Sequence, residues 1–325
     1  MKQLLNEFRA SPKKLILPAA VIAVLVLLGF LPGMTKPYTT IMLGSVLMYV
    51  ILSLCWNMFS GATGYISLAT AAFFGLGVYA SAILGDVTSL PLPVMMLIGG
   101  AAASVLAFLI GLITLRLRGV YFTIFTLGVV KLMETLILYL EVHINGTRGR
   151  FVVSYSFTEV FYALYVLLIL LLAAIIIIKR SRFGRALVCI AEGEDAAQHI
   201  GINATRVKIL SFAISAFAMG AAGAAMATRW SYIDPGIAFN ANYSFLPVLM
   251  VIFGGMDNLL GPIIGAAVFA YLQELLTTKF PYIYMLAMGV IMIAAILFMP
   301  RGILGVVRDI AARARQRKEK KNGNP

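Results

Sequence analysis

The sequence predicts an all-α polytopic membrane protein, a bundle of about ten transmembrane helices (range about eight to ten), one or two of them short or broken. Three observations predict it. Of 325 residues, 61% are hydrophobic and only 12% charged, against about 25% charged in soluble domains, too few to cover a water-exposed surface. The apolar residues come in runs of bilayer-crossing length, about 17–25 residues. The 26 Lys and Arg, which outnumber the 13 Asp and Glu, sit at span ends and tails, as cytoplasmic flanks do. That placement argues against a nucleic-acid partner. Apolar content this high also excludes disorder.

Taken in order, spans are predicted at 15–31, 38–59, 64–85, 91–115, 120–140, 159–178, 208–228, 259–276 and 281–300, with a shorter apolar run from Tyr243 to Gly255. Residues 1–14 form a basic leader with Lys2, Arg9, Lys13 and Lys14, residues 15–305 the membrane domain, and residues 306–325 a basic tail. Leu31-Pro32-Gly33-Met34 is no small-residue cleavage site, so the first span is read as retained. With the leader cytoplasmic, twenty Lys and Arg fall inside and five (Lys36, Arg148, Arg150, Arg229, Lys279) outside, a clear positive-inside bias. Nine crossings would leave the basic tail outside. Parity is restored if Tyr243–Gly255 also crosses, yet at about 1.5 Å per residue it spans only about 20 Å. A broken or tilted segment is expected there, interrupted at Gly254-Gly255 and Gly261-Pro262.

A second interruption is Ser60-Gly61-Ala62-Thr63-Gly64, just after Asn57. It reads as a tight helical hairpin. It also reads as a binding path, because Gly-interrupted segments in corresponding places mark such paths in transporters. The path candidates are Asn57, Thr63, Gly64, Tyr65, Ser67 and Thr70. Small residues four apart (Ala216, Gly220, Ala224; Gly261, Gly265) predict close helix contacts. Lys131 and Glu134, three apart within a span, predict an ion pair facing a protein interface.

Chemistry-bearing constellations are missing from the sequence. Cys55 and Cys189 form no framework, His143 and His199 stand alone, and no phosphate-binding Gly-x-x-x-x-Gly-Lys-Ser/Thr, HExxH or Gly-x-Ser-x-Gly occurs. The chain is read as a non-enzyme with no metal and no cofactor. Active transport would draw its energy from a partner or from an ion gradient.

The longest interior loop, 179–208, carries a short helix in which Glu194 and Asp195 suit the N-terminus and Gly201 the left-handed stop. Ala196, Ala197 and Ile200 are expected to form its smooth apolar face. A helix of two turns has little stability alone and needs a neighbour, either its own bundle or a partner's groove.

Gly184-Arg185-Ala186-Leu187, Glu194-Asp195-Ala196-Ala197 and Gly201-Ile202-Asn203 resemble the Glu-Ala-Ala loop of ABC importer permeases, specifically the branched-chain amino acid permeases of the M type (LivM). Gly64-Tyr65-Ile66-Ser67-Leu68 with Ala71-Ala72-Phe73-Phe74-Gly75, Leu117 to Thr123, Phe253-Gly254-Gly255 with Leu260-Gly261-Pro262, and Pro300-Arg301-Gly302 extend the resemblance over residues 38–305. Ile144 to Gly149 and Ala191 depart from the family pattern. The resemblance implies a permease subunit of an ATP-driven importer in the cytoplasmic (inner) membrane of a prokaryote, with both termini cytoplasmic. It implies an H-type permease subunit as heterodimer partner, two ABC ATPase subunits and an extracytoplasmic amino-acid-binding protein. Gly184, Glu194, Asp195, Ala196, Ala197 and Gly201 become the ATPase-coupling candidates. Leucine, isoleucine, valine, other amino acids, urea and short amides stay open as cargo. The rival class is an ion-coupled secondary transporter or channel using Lys131 and Glu134.

Overall fold

Each long apolar run folds as a helix because only a helix satisfies all its backbone groups without water. The computed structural model describes residue 29 and residues 37–87, 90–117, 119–152, 154–256 and 258–298. The leader, nearly all of the predicted first span, Pro300-Arg301-Gly302 and the basic tail lie outside the described residues. The helices are α1 (Pro37–Trp56, continued by a π-turn Asn57–Gly61), α2 (Thr70–Val87), α3 (Leu92–Thr114), α4 (Val120–Asn145) and α5 (Phe157–Arg180). Two short helices, α6 (Arg182–Glu192) and α7 (Glu194–His199), precede α8 (Ala204–Met226). After them come α9 (Pro235–Ala238), α10 (Asn242–Gly254), α11 (Leu260–Lys279) and α12 (Tyr284–Phe298).

Among the described residues, seven helical stretches are long and apolar enough to cross a membrane. The predicted run at 243–255 belongs to one of them, the α9–α10 stretch Pro235–Gly254. The predicted span 64–85 is corrected: its helix starts only at Thr70 and Thr70–Gly85 is a shorter apolar helix, while α12 has 15 residues. Burial separates centre from rim. The apolar windows of α1 and α8 are 72% and 78% buried, that of α4 only 22%, so α1 and α8 form the core and α4 an outer face. The small-residue stripe on α8 packs inward: a Cβ on Gly220 would meet the Ala103 Cβ at 2.5 Å and the Gly99 carbonyl at 2.6 Å. Gly254 and Gly261 let α10 and α11 touch backbone to backbone.

One stretch inside the bundle is not helical. Gly64 takes φ +75°, and residues 65–69 run without regular structure alongside the start of α4. Its backbone groups need partners at that depth, and side chains supply them. Ser60 Oγ accepts from Ser67 N (3.2 Å) and Thr126 Oγ1 from Leu68 N (3.0 Å). Thr123, Trp56 and Ser244 donate to the carbonyls of Ile66 (2.9 Å), Ser67 (2.7 Å) and Leu68 (2.6 Å). Ser244 Oγ also accepts from Ala71 N at 3.0 Å, tying the start of α2 to α10. Thr126 is the seventh residue of α4, so the unwound stretch climbs about 9 Å into the bundle. This replaces the tight hairpin expected after Gly61.

At the end of the bundle away from loop 179–208, residues 146–152 are stapled to 231–234. A two-residue antiparallel ladder joins Arg150–Phe151 to Tyr232–Ile233. Buried Glu141 accepts from Gly149 N at 2.9 Å and pairs with Arg150 at 3.4 Å.

Candidate functional site

Loop 179–208 folds into a small body of its own. Ser181 caps α6 by accepting from Gly184 N (3.2 Å), and any Cβ on Gly184 would lie 2.1 Å from the Ile178 carbonyl, so glycine is what lets α6 fold back on α5. Gly193 ends α6, and Gly201, at φ +87°, ends the α7 turn. Ile190, Ala197 and Ala204 form a separate buried cluster backed by Cys189, Ile202 and Val207. The expected apolar face of α7 is therefore corrected. Ala197 points inward, whereas Ala196 and Ile200 face outward, Ile200 being 71% exposed. The contact of Ala197 with Ile190 and Ala204 sets which side of the short helix turns inward. Ala197 faces α6 and the start of α8, Glu194 turns toward the bundle, and Ala196 and Ile200 face outward.

The side chain that holds this body to the bundle is Lys208, 1% exposed, in the first turns of α8. Its Nζ donates to Glu194 Oε1 (2.7 Å), to the Tyr65 hydroxyl (3.1 Å) and to the Leu115 carbonyl at the end of α3 (3.1 Å). Tyr65 OH donates to the other oxygen of Glu194. Nζ also stands 4.3 Å from the Tyr65 ring centroid, within the range of a cation–π contact. Tyr65 meets Phe122 of α4 edge-on at 5.5 Å. One ammonium thus joins α7, α8, α3 and the start of the unwound stretch. Sequence reasoning counted Lys208 only as a loop charge. The signal it passed over was a lone charge entering the apolar run Ile209 to Phe212.

The path candidates divide. Thr63, Gly64 and Tyr65 line a cleft of about 290 Å³ together with the coupling candidates Glu194 and Asp195. Asn57 instead lines a separate cavity of about 530 Å³, walled by α1, α5, α6 and Met256, in which Gly184 also takes part. Thr63 and Ser67 use their hydroxyls on backbone groups of Phe59, Tyr65 and Ala69. Asn57 Oδ1 and Thr70 Oγ1 are buried without a partner. Lys131 and Glu134 pair at 2.7 Å, with Lys131 74% exposed, on the outer face of α4 and not on the walls of either cavity.

The family model described as branched-chain amino acid transport system / permease component matches residues 38–296. The chain is 28% identical to the high-affinity branched-chain amino acid transport system permease protein LivM of Escherichia coli (strain K12), over 92% of this chain and 80% of that protein. It is 32% identical to the LivH permease protein of the same organism over 42% of this chain and 44% of that one. It is also 26% identical to the ribose import permease protein RbsC of Haemophilus influenzae, over 41% and 43%. No solved structure matches the chain.

Proposed function

Since the chain belongs to the branched-chain amino acid transport system permease family, we propose that it is the M-type membrane subunit of an ATP-driven importer for branched-chain or related amino acids. It is a multi-pass membrane permease and not itself an enzyme. An H-type permease subunit completes the membrane path, two ABC ATPase subunits supply energy and an extracytoplasmic binding protein delivers cargo. The inner membrane of a prokaryote is its site. The 179–208 loop lies on the cytoplasmic side, and ten crossings leave leader and tail there too.

The single observation that carries the coupling role is the Lys208 junction. A docked ATPase that moves α7 pulls on α8, on α3 and, through Tyr65, on the unwound stretch beside α2. Two-state rearrangement of rigid elements is the ordinary way a local push reaches a distant site. Asn57, with its unpartnered oxygen in the 530 Å³ cavity, offers the cargo an acceptor near the cytoplasmic mouth. Thr63, Gly64, Tyr65 and Ser67 shape the path by holding the unwound backbone.

Two measurements test this. In proteoliposomes holding the full importer, uptake is expected to require ATP and to survive a protonophore. Collapse with the protonophore and persistence without ATP favour the ion-coupled carrier instead. Ile200 is 71% and Val188 53% exposed, so neither Ile200→Asp nor Val188→Asp puts a charge into the packed core, although Val188 also borders the 530 Å³ cavity. Each is expected to lower ATPase co-purification at least fivefold with normal membrane insertion. Co-purification at the wild-type level sinks the docking role of this surface.

A further inference from the structure

Four helices, α1, α8, α10 and α11, meet around a polar pocket of about 190 Å³ at the end of the bundle opposite the Lys208 junction. Its size is below the about 300–1,000 Å³ of drug-sized sites and corresponds to roughly six waters or one small molecule. Two opposite charges face each other there loosely. Arg229 Nη2 stands 3.8 Å from Glu274 Oε2, and Arg229 also donates to Ser45 Oγ. Direct guanidinium–carboxylate contacts close to about 2.7–2.9 Å, so each ion retains capacity for another partner. Beside them Gln273 donates from Nε2 to the Tyr49 hydroxyl at 3.4 Å, while its Oε1 is buried with no partner. Turning the amide over only changes which of its two groups is stranded. Trp230 and the paired rings of Tyr49 and Tyr243, 6.4 Å apart, supply an apolar wall.

We propose that this pocket is a receiving site for a small zwitterion, an α-amino acid with its carboxylate on Arg229, its ammonium on Glu274 and Gln273 Oε1, and its side chain against the aromatic wall. The inference rests on the reading of the chain as an amino acid permease and extends it to named groups. The physical reason is charge balance. A neutral ligand with two opposite heads gives each ion a partner and leaves none uncompensated, whereas a plain anion strands Glu274 and a plain cation strands Arg229. Arg229 and Glu274 keep 33% and 22% of their side-chain surface exposed, so a singly charged analogue leaves one of them to solvent alone and gains one charge-assisted contact where the zwitterion gains two. An acceptor already buried without a donor is what an arriving ammonium satisfies.

Trp230 is one of two tryptophans, and the other, Trp56, is 2% exposed with its indole held by the Ser67 carbonyl. Trp230 emission, taken as the difference from Trp230→Phe, therefore reports on the pocket. The reconstituted importer, without ATP or binding protein, is titrated with leucine, with 4-methylpentanoate (no ammonium) and with isopentylamine (no carboxylate). Leucine is expected to shift the emission saturably, and both analogues to bind at least tenfold more weakly. Arg229→Gln and Glu274→Gln are expected to weaken leucine at least tenfold, and Gln273→Leu, which keeps both charges if the other variants fail to fold, at least threefold. A silent leucine titration, analogues equal to leucine, or wild-type affinity in a folded variant each overturns the site. ATP-driven uptake by the same vesicles separates the two claims. Intact uptake with a silent Trp230 removes the pocket alone, and absent uptake removes the permease reading beneath it.

Discussion

Lys208→Met is expected to cut ATP-driven uptake at least tenfold while ATP hydrolysis by the assembled importer continues. Methionine keeps the length and apolar stem of the side chain and removes only the ammonium. Glu194, 14% exposed at its side chain, then loses its counter-ion at 2.7 Å, and the Leu115 carbonyl loses its donor. Removing one partner of a buried pair costs about 3–5 kcal/mol, or about two to three and a half orders of magnitude in the docked population of α7. A lever whose inner end is free transmits no force, so hydrolysis and transport part company. The second arm is Lys208→Met with Glu194→Gln. Removing both charges leaves no stranded ion, so detergent stability is expected to recover toward wild type while uptake stays low. Recovery of uptake together with stability contradicts the lever and reduces the junction to a structural tie.

This junction also shows where the sequence stops being legible. Apolar runs and Lys/Arg placement suffice to locate most helices, because the bilayer imposes one length and one way to satisfy the backbone. They fail at residues 64–69, where hydropathy continues but the helix does not. Besides the nearby Ser60 and Trp56, what stabilises the unwound form includes Thr126, 58 residues along the chain from Leu68, and Ser244, 176 residues away. A window of about 20 residues sees neither. The two ionic sites were missed for different reasons. Lys208 and Arg229 were counted as loop charges; Glu274 lies 45 positions from Arg229, beyond such a window, whereas Glu194 lies only 14 from Lys208 and was read as a helix N-terminal charge. Part of the turn chemistry of the loop was visible, since Gly201 ends α7 as read, but which side of so short a helix faces inward depends on Ile190 and Ala204.

α8 connects the two ends. Lys208 sits near its start and Arg229 just past its finish, about 32 Å apart along the axis, and between them the helix is clamped. A Cβ on Gly77 of α2 would lie 1.9 Å from the Gly220 carbonyl oxygen, and one on Gly223 would lie 2.1 Å from the Phe74 carbonyl oxygen. Backbone atoms cannot swing aside as a side chain can. In lipid, helices gain little by hiding apolar side chains from each other, and close backbone approach supplies the contact energy. Separating the helices by 0.5–1 Å forfeits about a quarter to a half of each dispersion contact. Gly77→Ala is therefore expected to lower the folded, monodisperse yield at least tenfold by size-exclusion chromatography of the detergent-solubilised importer. Gly220→Ala, whose Cβ meets the Ala103 Cβ at 2.5 Å, follows it. Gly99→Ala, with its nearest contact at 2.9 Å to the Ala224 Cβ, is milder, and Gly128→Ala, with nothing within 4 Å, is neutral. If the four variants share one yield, backbone contact is not what fixes α8, and the helix is then free to bend between its two charged ends instead of carrying motion from one to the other.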